Sequence, residues 1–376
     1  MKNNEFFPEI KGNFGFGCMR LPMKNGQVDK ETFSAMADEF IASGFNYFDT
    51  AHGYINGMSE TAVRDCVAAR YPREKFLLTN KLTDSYFNRT EDIRPFFESQ
   101  LKACGVEYFD FYLMHAQDSE NYEKFQRCRA YETAYALKNE GKIRHFGLSF
   151  HDKPEVLERI LSDHPEVEVV QIQLNYIDMD SAAVESRRVY EVCEKFGKPV
   201  LVMEAVKGGI LVNLPKEADD ELRSLGGGSN ASYALRFAAG FKNVVAVLSG
   251  MSDMAQMKDN LSAMRDYLPL DEREQGAIEK VVKILGGLNA VPCTACRYCV
   301  EENHCPKDIL IPDVFAAYNS YSAFHDWNAE YYYDNAVTLN HGKASDCIKC
   351  GKCERVCPQH LTIRRYLDAV AKTFGK

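Results

Sequence analysis

The sequence has no long hydrophobic run, no excess of cations and no apolar leader. No window approaches the ~18 apolar residues of a membrane-spanning helix, so no membrane span is predicted. The first twelve residues carry Glu5 and Glu9 and lack the apolar core of a secretory signal, which makes a cytoplasmic location the expectation. With 45 Lys+Arg against 54 Asp+Glu the formal net charge is −9, which argues against nonspecific nucleic-acid binding. The deficit is uneven. From Ala290 onward ten cations meet ten anions, so the first 289 residues carry all of it. The 13 cysteines are odd in number and follow no leader, which argues against a disulfide scaffold. What remains is a chain of 376 residues, 45% hydrophobic and 26% charged, the proportions of a globular protein with room for more than one domain.

Up to about residue 285 one unit recurs: a short apolar, β-rich run followed by a helical pattern. Eight runs are predicted as strands, at 14–19, 45–50, 76–81, 110–115, 145–149, 169–174, 199–204 and 243–249. Helical patterns lie between them at 30–43, 60–70, 93–104, 122–140, 154–161, 182–196 and 229–239. The runs are continuously apolar, as in strands buried on both faces of a parallel sheet. Eight such units in this length fit a (β/α)8 TIM barrel. An open doubly wound sheet is the competing α/β arrangement, but the first strand–helix turn lacks a full GxGxxG. Nearly every run ends in polar residues: Asp49, Lys81, His115, Ser149, Gln171 with Asn175, Glu204 and Ser249. One polar strand end is a loop boundary. Seven in phase suggest a common polar mouth, and barrels place their active sites at that end. Gly286, Gly287, Asn289 and Pro292 mark a boundary, giving a barrel over 1–287 and a small, mainly helical, ferredoxin-like domain over 288–376.

Five cysteines are scattered, at Cys18, Cys66, Cys104, Cys128 and Cys193; the other eight crowd near the C-terminus. They form Cys293-x2-Cys296-x2-Cys299-x5-Cys305-Pro306 and Cys347-x2-Cys350-x2-Cys353-x3-Cys357-Pro358. A triplet at three-residue steps followed by Cys-Pro is the [4Fe–4S] pattern, in which the fourth cysteine ligates the other cluster. Two clusters are therefore expected. One is held by Cys293, Cys296, Cys299 and Cys357, the other by Cys347, Cys350, Cys353 and Cys305. Zinc knots favour two CxxC pairs parted by a loop, a different spacing. The first motif departs from the rule by five residues before its last cysteine where three are usual. The insert between the motifs holds Phe315, Tyr318, Tyr321, Phe324, Trp327, Tyr331, Tyr332 and Tyr333. Such aromatics could line an electron path, but they are expected first as core.

Four residues at strand ends stand out, Asp49, Tyr54, Lys81 and His115, though a strand-end Asp is often a cap, a Lys a solvated charge and a His a satisfied core residue. Together they carry a resemblance. Gly44-Phe-Asn-Tyr-Phe-Asp-Thr-Ala-His-Gly-Tyr54, Ser59-Glu60, Asn80-Lys81, Leu113-Met-His115, Gly147-Leu-Ser149, Gln171-Ile-Gln-Leu-Asn175-Tyr176 and Ser249-Gly250 through Asn260 stand in that order. This stretch, about residues 10–285, resembles the aldo/keto reductases. The tail resembles the ferredoxin-type extension of one bacterial and archaeal branch of that family.

The resemblance implies a role for each residue. Tyr54 would give the proton that a carbonyl oxygen needs as hydride arrives. Lys81 would favour the phenolate left behind, Asp49 would fix Lys81, and His115 would orient the carbonyl. Ser149, Gln171 and Asn175 would hold the nicotinamide amide, with Gly17, Cys18 and Met19 lining the first turn. Ser249, Gly250, Gln256 and Asn260 would serve the adenosine phosphate end at a helix N-terminus. Met203 stands where many members place an aromatic under the nicotinamide, a softer sulfur contact. Gly250 and Gln256, with Asp253 between, stand where NADPH-preferring members carry a lysine and an arginine, which makes NADH plausible.

Two functions follow. One is an NAD(P)H-dependent carbonyl reductase, or alcohol dehydrogenase in reverse, acting on a small molecule. The other is an electron-transfer protein whose barrel binds a cofactor and docks a redox partner. A third assigns the clusters a structural role only.

Overall fold

The computed structural model describes residues 5–375 apart from 120, 181–183, 287–290, 303, 325–328 and 331–332, and gives no side-chain description at 323, 324, 335 and 336. The chain packs as two compact units. The first is Met1–Ser181, Glu185–Ala205 and Ala231–Leu270; the second is Ala182–Val184, Val206–Asn230 and Asp271–Lys376.

All eight expected strands are present in the first unit: β1 Phe14–Gly17, β2 Tyr47–Asp49, β3 Leu77–Leu82, β4 Phe109–Gln117, β5 Ile143–Phe150, β6 Val169–Gln173, β7 Val200–Met203 and β8 Val244–Gly250. Each pairs in parallel with its neighbours in sequence, and β1 pairs with both β8 and β2, so the sheet closes into a barrel. The register sets the site. Asp49 stands opposite Thr79, Lys81 opposite Leu113, Leu113 opposite Gly147, and Ser149 opposite Gln171. Side chains alternate across a strand, so residues two apart share a face. Tyr47, Leu77, Phe111, Leu113, Val169, Leu201 and Leu248 form one buried cluster inside the barrel. Asp49, His115, Gln171 and Met203 each lie two residues beyond a member of that cluster, and Lys81 four beyond Leu77. They therefore face inward at the C-terminal end of the same filled core. Gly147 takes its place in this layer because a Cβ would meet the Val169 carbonyl at 2.4 Å and the Leu113 side chain at 2.9 Å.

The opposite end of the barrel is closed by residues that precede the first strand. Phe7 and Ile10 join the interior cluster, and the Phe7 ring packs edge-on against Phe111 and His145 at 5.1 and 4.7 Å. The N-terminal segment thus closes the base of the barrel. The helix expected over 122–140 is two helices, Tyr122–Arg127 and Ala130–Asn139, broken where Arg129 takes a left-handed conformation at φ 52°. The pattern at 60–70 becomes Met58–Val63 followed by a wider turn at Arg64–Ala68.

In the second unit Lys216–Arg223 packs on Glu272–Gly286. The tail beyond builds its own core from Val291, Ile309, Ile311, Val314, Phe315, Tyr333, Leu361, Ile363, Leu367, Val370 and Phe374. Helix Ile363–Phe374 supplies four of these at positions 363, 367, 370 and 374, the spacing of one helical face. The insert's Phe315 and Tyr333 are therefore core, with Tyr318 and Tyr321 packed against it. Trp327, Tyr331 and Tyr332, and the side chain of Phe324, lie outside the described residues. No described helix is long and apolar enough to cross a membrane.

Candidate active site and cysteine centre

The Lys81 ammonium is fully buried and donates to three oxygens. They are Asp49 Oδ1 at 2.6 Å, the Thr50 carbonyl at 2.9 Å and the Tyr54 hydroxyl at 3.2 Å. Its nitrogen also stands 4.8 Å from the centre of the Tyr54 ring. The second Asp49 oxygen accepts from Gln171 Nε2 at 3.1 Å. Burial lowers the lysine below its ordinary value, and the Asp49 carboxylate works against that shift. Tyr54 reaches this point through an unusual turn. Ile55, Asn56 and Gly57 take successive left-handed conformations, at φ 53°, 52° and 82°, before helix Met58–Val63 begins.

His115 is buried, and its Nδ1 lies 2.6 Å from Thr83 Oγ1. Its ring meets the Tyr54 ring edge-on at 6.0 Å. Burial, reinforced by Lys81 and then His151, holds the imidazole well below the usual histidine range, so it is neutral at neutral pH. Asp49, Tyr54, Lys81 and His115 are thus gathered round one point at the strand ends.

The residues expected at the cofactor are placed as follows. Gly17 ends β1, and Cys18 and Met19 follow it in a short helical turn. Cys18 is buried with its thiol toward the Phe16 carbonyl at 3.6 Å, and burial raises its pKa far above the usual thiol value. Ser149 Oγ accepts from the Ala116 N–H at 2.7 Å, and Met203 ends β7. Both amide hydrogens of Asn175 are used, on Asp178 and on the Glu204 carbonyl, so this side chain braces the loop. After β8, Ser249 Oγ accepts from Asn260 at 3.0 Å. Asp253 caps helix Met254–Arg265 by accepting from Gln256 N–H, and the Gln256 side chain turns back to accept from Ser252 N–H. Arg20 lies across Gly250, where a Cβ would meet its carbons at 3.2–3.4 Å.

The cysteine motifs have the same backbone twice. Ala295 and Arg297, flanking Cys296, are left-handed at φ 52° and 69°; Lys349 and Gly351, flanking Cys350, are left-handed at 58° and 74°. Three residues past the last cysteine of each motif, Asp308 and His360 repeat the match at 52° and 47°. Alternating left- and right-handed residues turn successive N–H groups into a concave nest, the backbone found at many iron–sulfur sites. The motifs also interleave. Burial raises the Cys299 thiol, and Cys296, Cys293, Cys357 and Cys353 raise it further. Burial likewise pushes Cys353 up to about 12, with Cys347 and Cys305 among the neighbours adding to it. Cys357 is thus within electrostatic reach of Cys299, and Cys305 of Cys353. Among the described residues no three His, Cys, Asp or Glu side chains close round a point where a single ion would sit.

Residues 13–283 match the family model described as the aldo/keto reductase family. The chain belongs to that family. It is an aldo/keto reductase-type, NAD(P)-dependent oxidoreductase. Residues 292–362 match the 4Fe-4S dicluster domain. The uncharacterised oxidoreductase YqkF of Bacillus subtilis is 23% identical over 300 residues, 72% of this chain and 92% of that protein. The NADH-specific methylglyoxal reductase of Escherichia coli is 26% identical over 207 residues, 50% of this chain and 61% of that protein. Among solved structures, an aldo/keto reductase from Klebsiella pneumoniae in complex with NADP and acetate superposes with a TM-score of 0.60 at 20% identity, over 72% of this chain and 91% of that one.

Behind the four residues, this aldo/keto reductase carries a buried layer whose members Glu60 and Asn80 stood in the motifs without a role. Asn80 accepts the Lys81 N–H at 2.8 Å and Gln100 Nε2 at 3.0 Å, and donates to Glu60 Oε1 at 2.8 Å. Gln100 in turn donates to the Lys81 carbonyl and accepts from Tyr112. Glu60 is 1% exposed, and its other oxygen lies 2.8 Å from His52 Nδ1. Gln100 and Tyr112 carry no local signal in the sequence; only the folded register brings them to Lys81.

The depressed His115 pKa has a thermodynamic consequence. The unfolded chain takes a proton at this histidine below about pH 6.5, whereas the folded chain resists it. The stability linked to His115 is therefore whole above about pH 6.5 and is lost as pH falls from there toward the folded value. Urea midpoints measured from pH 7 to pH 5 are expected to fall more steeply for the wild type than for His115→Gln. Equal slopes would remove this histidine from the acid response.

Proposed function

We propose that this chain reduces an aldehyde or ketone to the alcohol, or runs the reverse, with a nicotinamide cofactor, and that its tail holds two [4Fe–4S] clusters able to exchange electrons with a redox partner. The observation that carries the first part is the Lys81 ammonium shared between Asp49 and the Tyr54 hydroxyl beside a neutral His115. Reduced nicotinamide supplies a hydride when bound. Met203 ends its strand, and Ser149 and Gln171 lie within two residues of the ends of theirs and pair across the sheet, a placement that suits a flat ring lying across the mouth. The carbonyl oxygen gains negative charge as hydride adds to carbon, and the Tyr54 O–H gives it a proton. The phenolate that remains is stabilised by Lys81, which Asp49 and the Thr50 carbonyl hold in place, and solvent returns the proton. In the tautomer in which Thr83 Oγ1–H donates to His115 Nδ1 across their 2.6 Å contact, Nε2 carries the proton and is the donor that orients the carbonyl.

Tyr54→Phe is expected to lower carbonyl reduction by about 10²–10⁴ while leaving cofactor affinity nearly intact. Turnover with reduced cofactor under single-turnover conditions checks this; an unchanged rate rejects the assignment.

For the cofactor, NADH is expected to serve at least as well as NADPH. Gly250 and Gln256 carry no charge, Gln256 is engaged with Ser252, and the Asp253 carboxylate caps the helix that would face a 2′-phosphate. The resemblance to an NADH-specific reductase points the same way. Titration calorimetry with both cofactors decides. NADPH binding tighter by about 1.4 kcal/mol, a tenfold preference, would reverse the reading and turn attention to Arg20 and Lys258.

For the tail, the paired nests and interleaved cysteines fit two clusters, with Cys293, Cys296, Cys299 and Cys357 on one and Cys347, Cys350, Cys353 and Cys305 on the other. Thiolates from Cys-x2-Cys-x2-Cys with a distant Cys-Pro bind iron corner by corner. Anaerobic preparations are expected to contain about eight irons and eight sulfides per chain, and Cys296→Ser to lose about half of each. Zinc in place of iron, or loss of all iron from that variant, would overturn the two-cluster arrangement.

A further inference from the structure

The net charge of zero beyond residue 289 conceals a separation. Residues 290–342 hold two Lys+Arg and seven Asp+Glu, while residues 343–376 hold eight Lys+Arg and three Asp+Glu. The second half, at +5, is the cationic end of a chain whose total is −9.

These cations surround the second cysteine motif. Lys349, Lys352, Arg355, Arg364 and Arg365 are all exposed. Arg364 lies over Gly351, its guanidinium 3.7–4.0 Å from where a Cβ would stand, and reaches the Lys349 carbonyl at 3.4 Å. Glu354 pairs with Arg364 and Asp368 with Lys349. At the centre Ile348 is 55% exposed, and Cys350 beside it is the exposed member of the eight cysteines. The first motif differs. No residue from Cys293 to Cys299 is exposed, and the chain at Gly208 lies against the Thr294 carbonyl, where a Cβ would come to 2.2 Å.

We infer that the second motif is the tail's electron port, and that the face around Ile348 and Cys350 docks an acidic one-electron carrier protein. The inference rests on the reading that the tail holds clusters. An apolar centre with a charged rim is the anatomy of a transient protein interface, and opposite net charge steers encounter and speeds association. One electron leaves the carrier, which is oxidised by one, and enters the centre held by Cys347, Cys350, Cys353 and Cys305, which is reduced by one. No bond breaks and no proton is required.

The test uses the full-length protein, prepared anaerobically with its iron and sulfide quantified. A small acidic [2Fe–2S] ferredoxin, reduced beforehand, is mixed with it in a stopped-flow instrument, and its reoxidation is followed as salt is raised. The bimolecular rate is expected to fall steeply with ionic strength, as for opposite charges. Reversing Lys352, Arg355 and Arg365 to glutamate is expected to slow it about tenfold or more at low salt and flatten its salt dependence. Iron content and the spectrum of dithionite-reduced clusters should stay unchanged. Arg365→Glu alone, eight positions past the last ligand candidate, should give a smaller loss in the same direction and covers the case in which the triple variant loses iron. If clusters are present and dithionite reduces them but neither variant changes the rate, the docking face is wrong while the cluster reading stands. The same conclusion follows if the substitutions abolish binding to anionic vesicles or duplex DNA and spare the ferredoxin. Absence of iron from the wild type would sink both.

Discussion

The first unit depends on one buried ion pair. Asp49 and Lys81 sit on adjacent strands, inside the barrel, with the lysine fully out of solvent. Isolated charges at such depth are strongly disfavoured, and a buried pair is tolerated only when every donor and acceptor around it is satisfied. Lys81 meets that condition with three acceptors, one of them the Tyr54 hydroxyl. Removing Asp49 would leave a buried cation without its counter-ion, so stability and chemistry converge on the same contact. The register that opposes Asp49 to Thr79 and Lys81 to Leu113 is what makes it possible, because a one-residue slip would turn both side chains to the outer face. The Glu60–Asn80–Gln100 layer then holds the Lys81 backbone from behind, so the ammonium is fixed from both sides.

Much of this was legible in the residues. Eight apolar runs gave eight strands because fully buried parallel strands need continuous apolar sequence, and the polar residue ending each run marks where that burial stops. Asp49, Lys81 and His115 were visible for that reason, and Tyr54 through the family resemblance of the segment that carries it. What the sequence hid is long-range. Phe7 and Ile10 are two apolar residues in a polar N-terminal stretch, and nothing local says that they seal the barrel base. Gln100 and Tyr112 look like an ordinary helix polar residue and an ordinary strand aromatic until the fold sets them against Asn80. The break at Arg129 fell inside an unbroken helical pattern, since an arginine at positive φ has no sequence signature of its own.

The two cysteine motifs differ in spacing, with five residues before Cys305 and three before Cys357, yet their backbones coincide at three positions each. The extra residues are accommodated ahead of Cys305, and the left-handed turn past each fourth cysteine is kept at Asp308 and His360. Spacing alone therefore understated the likeness of the halves. The conformations at Ala295, Arg297, Lys349, Gly351, Asp308 and His360 are what the likeness consists of.

Five of those six residues are not glycine, and a side chain held in the left-handed region is strained by about 1–3 kcal/mol. Such strain persists only where surrounding interactions impose it. The tail has a modest core, assembled largely from one face of helix Ile363–Phe374 and the insert helix Ile311–Phe324. Ala295 and Lys349 lie in the cysteine loops, outside that core. At Ala295 the backbone N–H donates to the Cys293 sulfur at 3.4 Å, and the backbone at Leu361, Gln359 and His360 serves Cys357 in the same way. A negatively charged thiolate centre would return that strain as hydrogen bonds and metal–sulfur bonds, because metal binding in a small domain is itself folding free energy. The tail's backbone thus has the form that suits an anionic centre, whereas in the barrel the sheet holds Asp49, Lys81 and His115 and the turn after Asp49 brings Tyr54 to them.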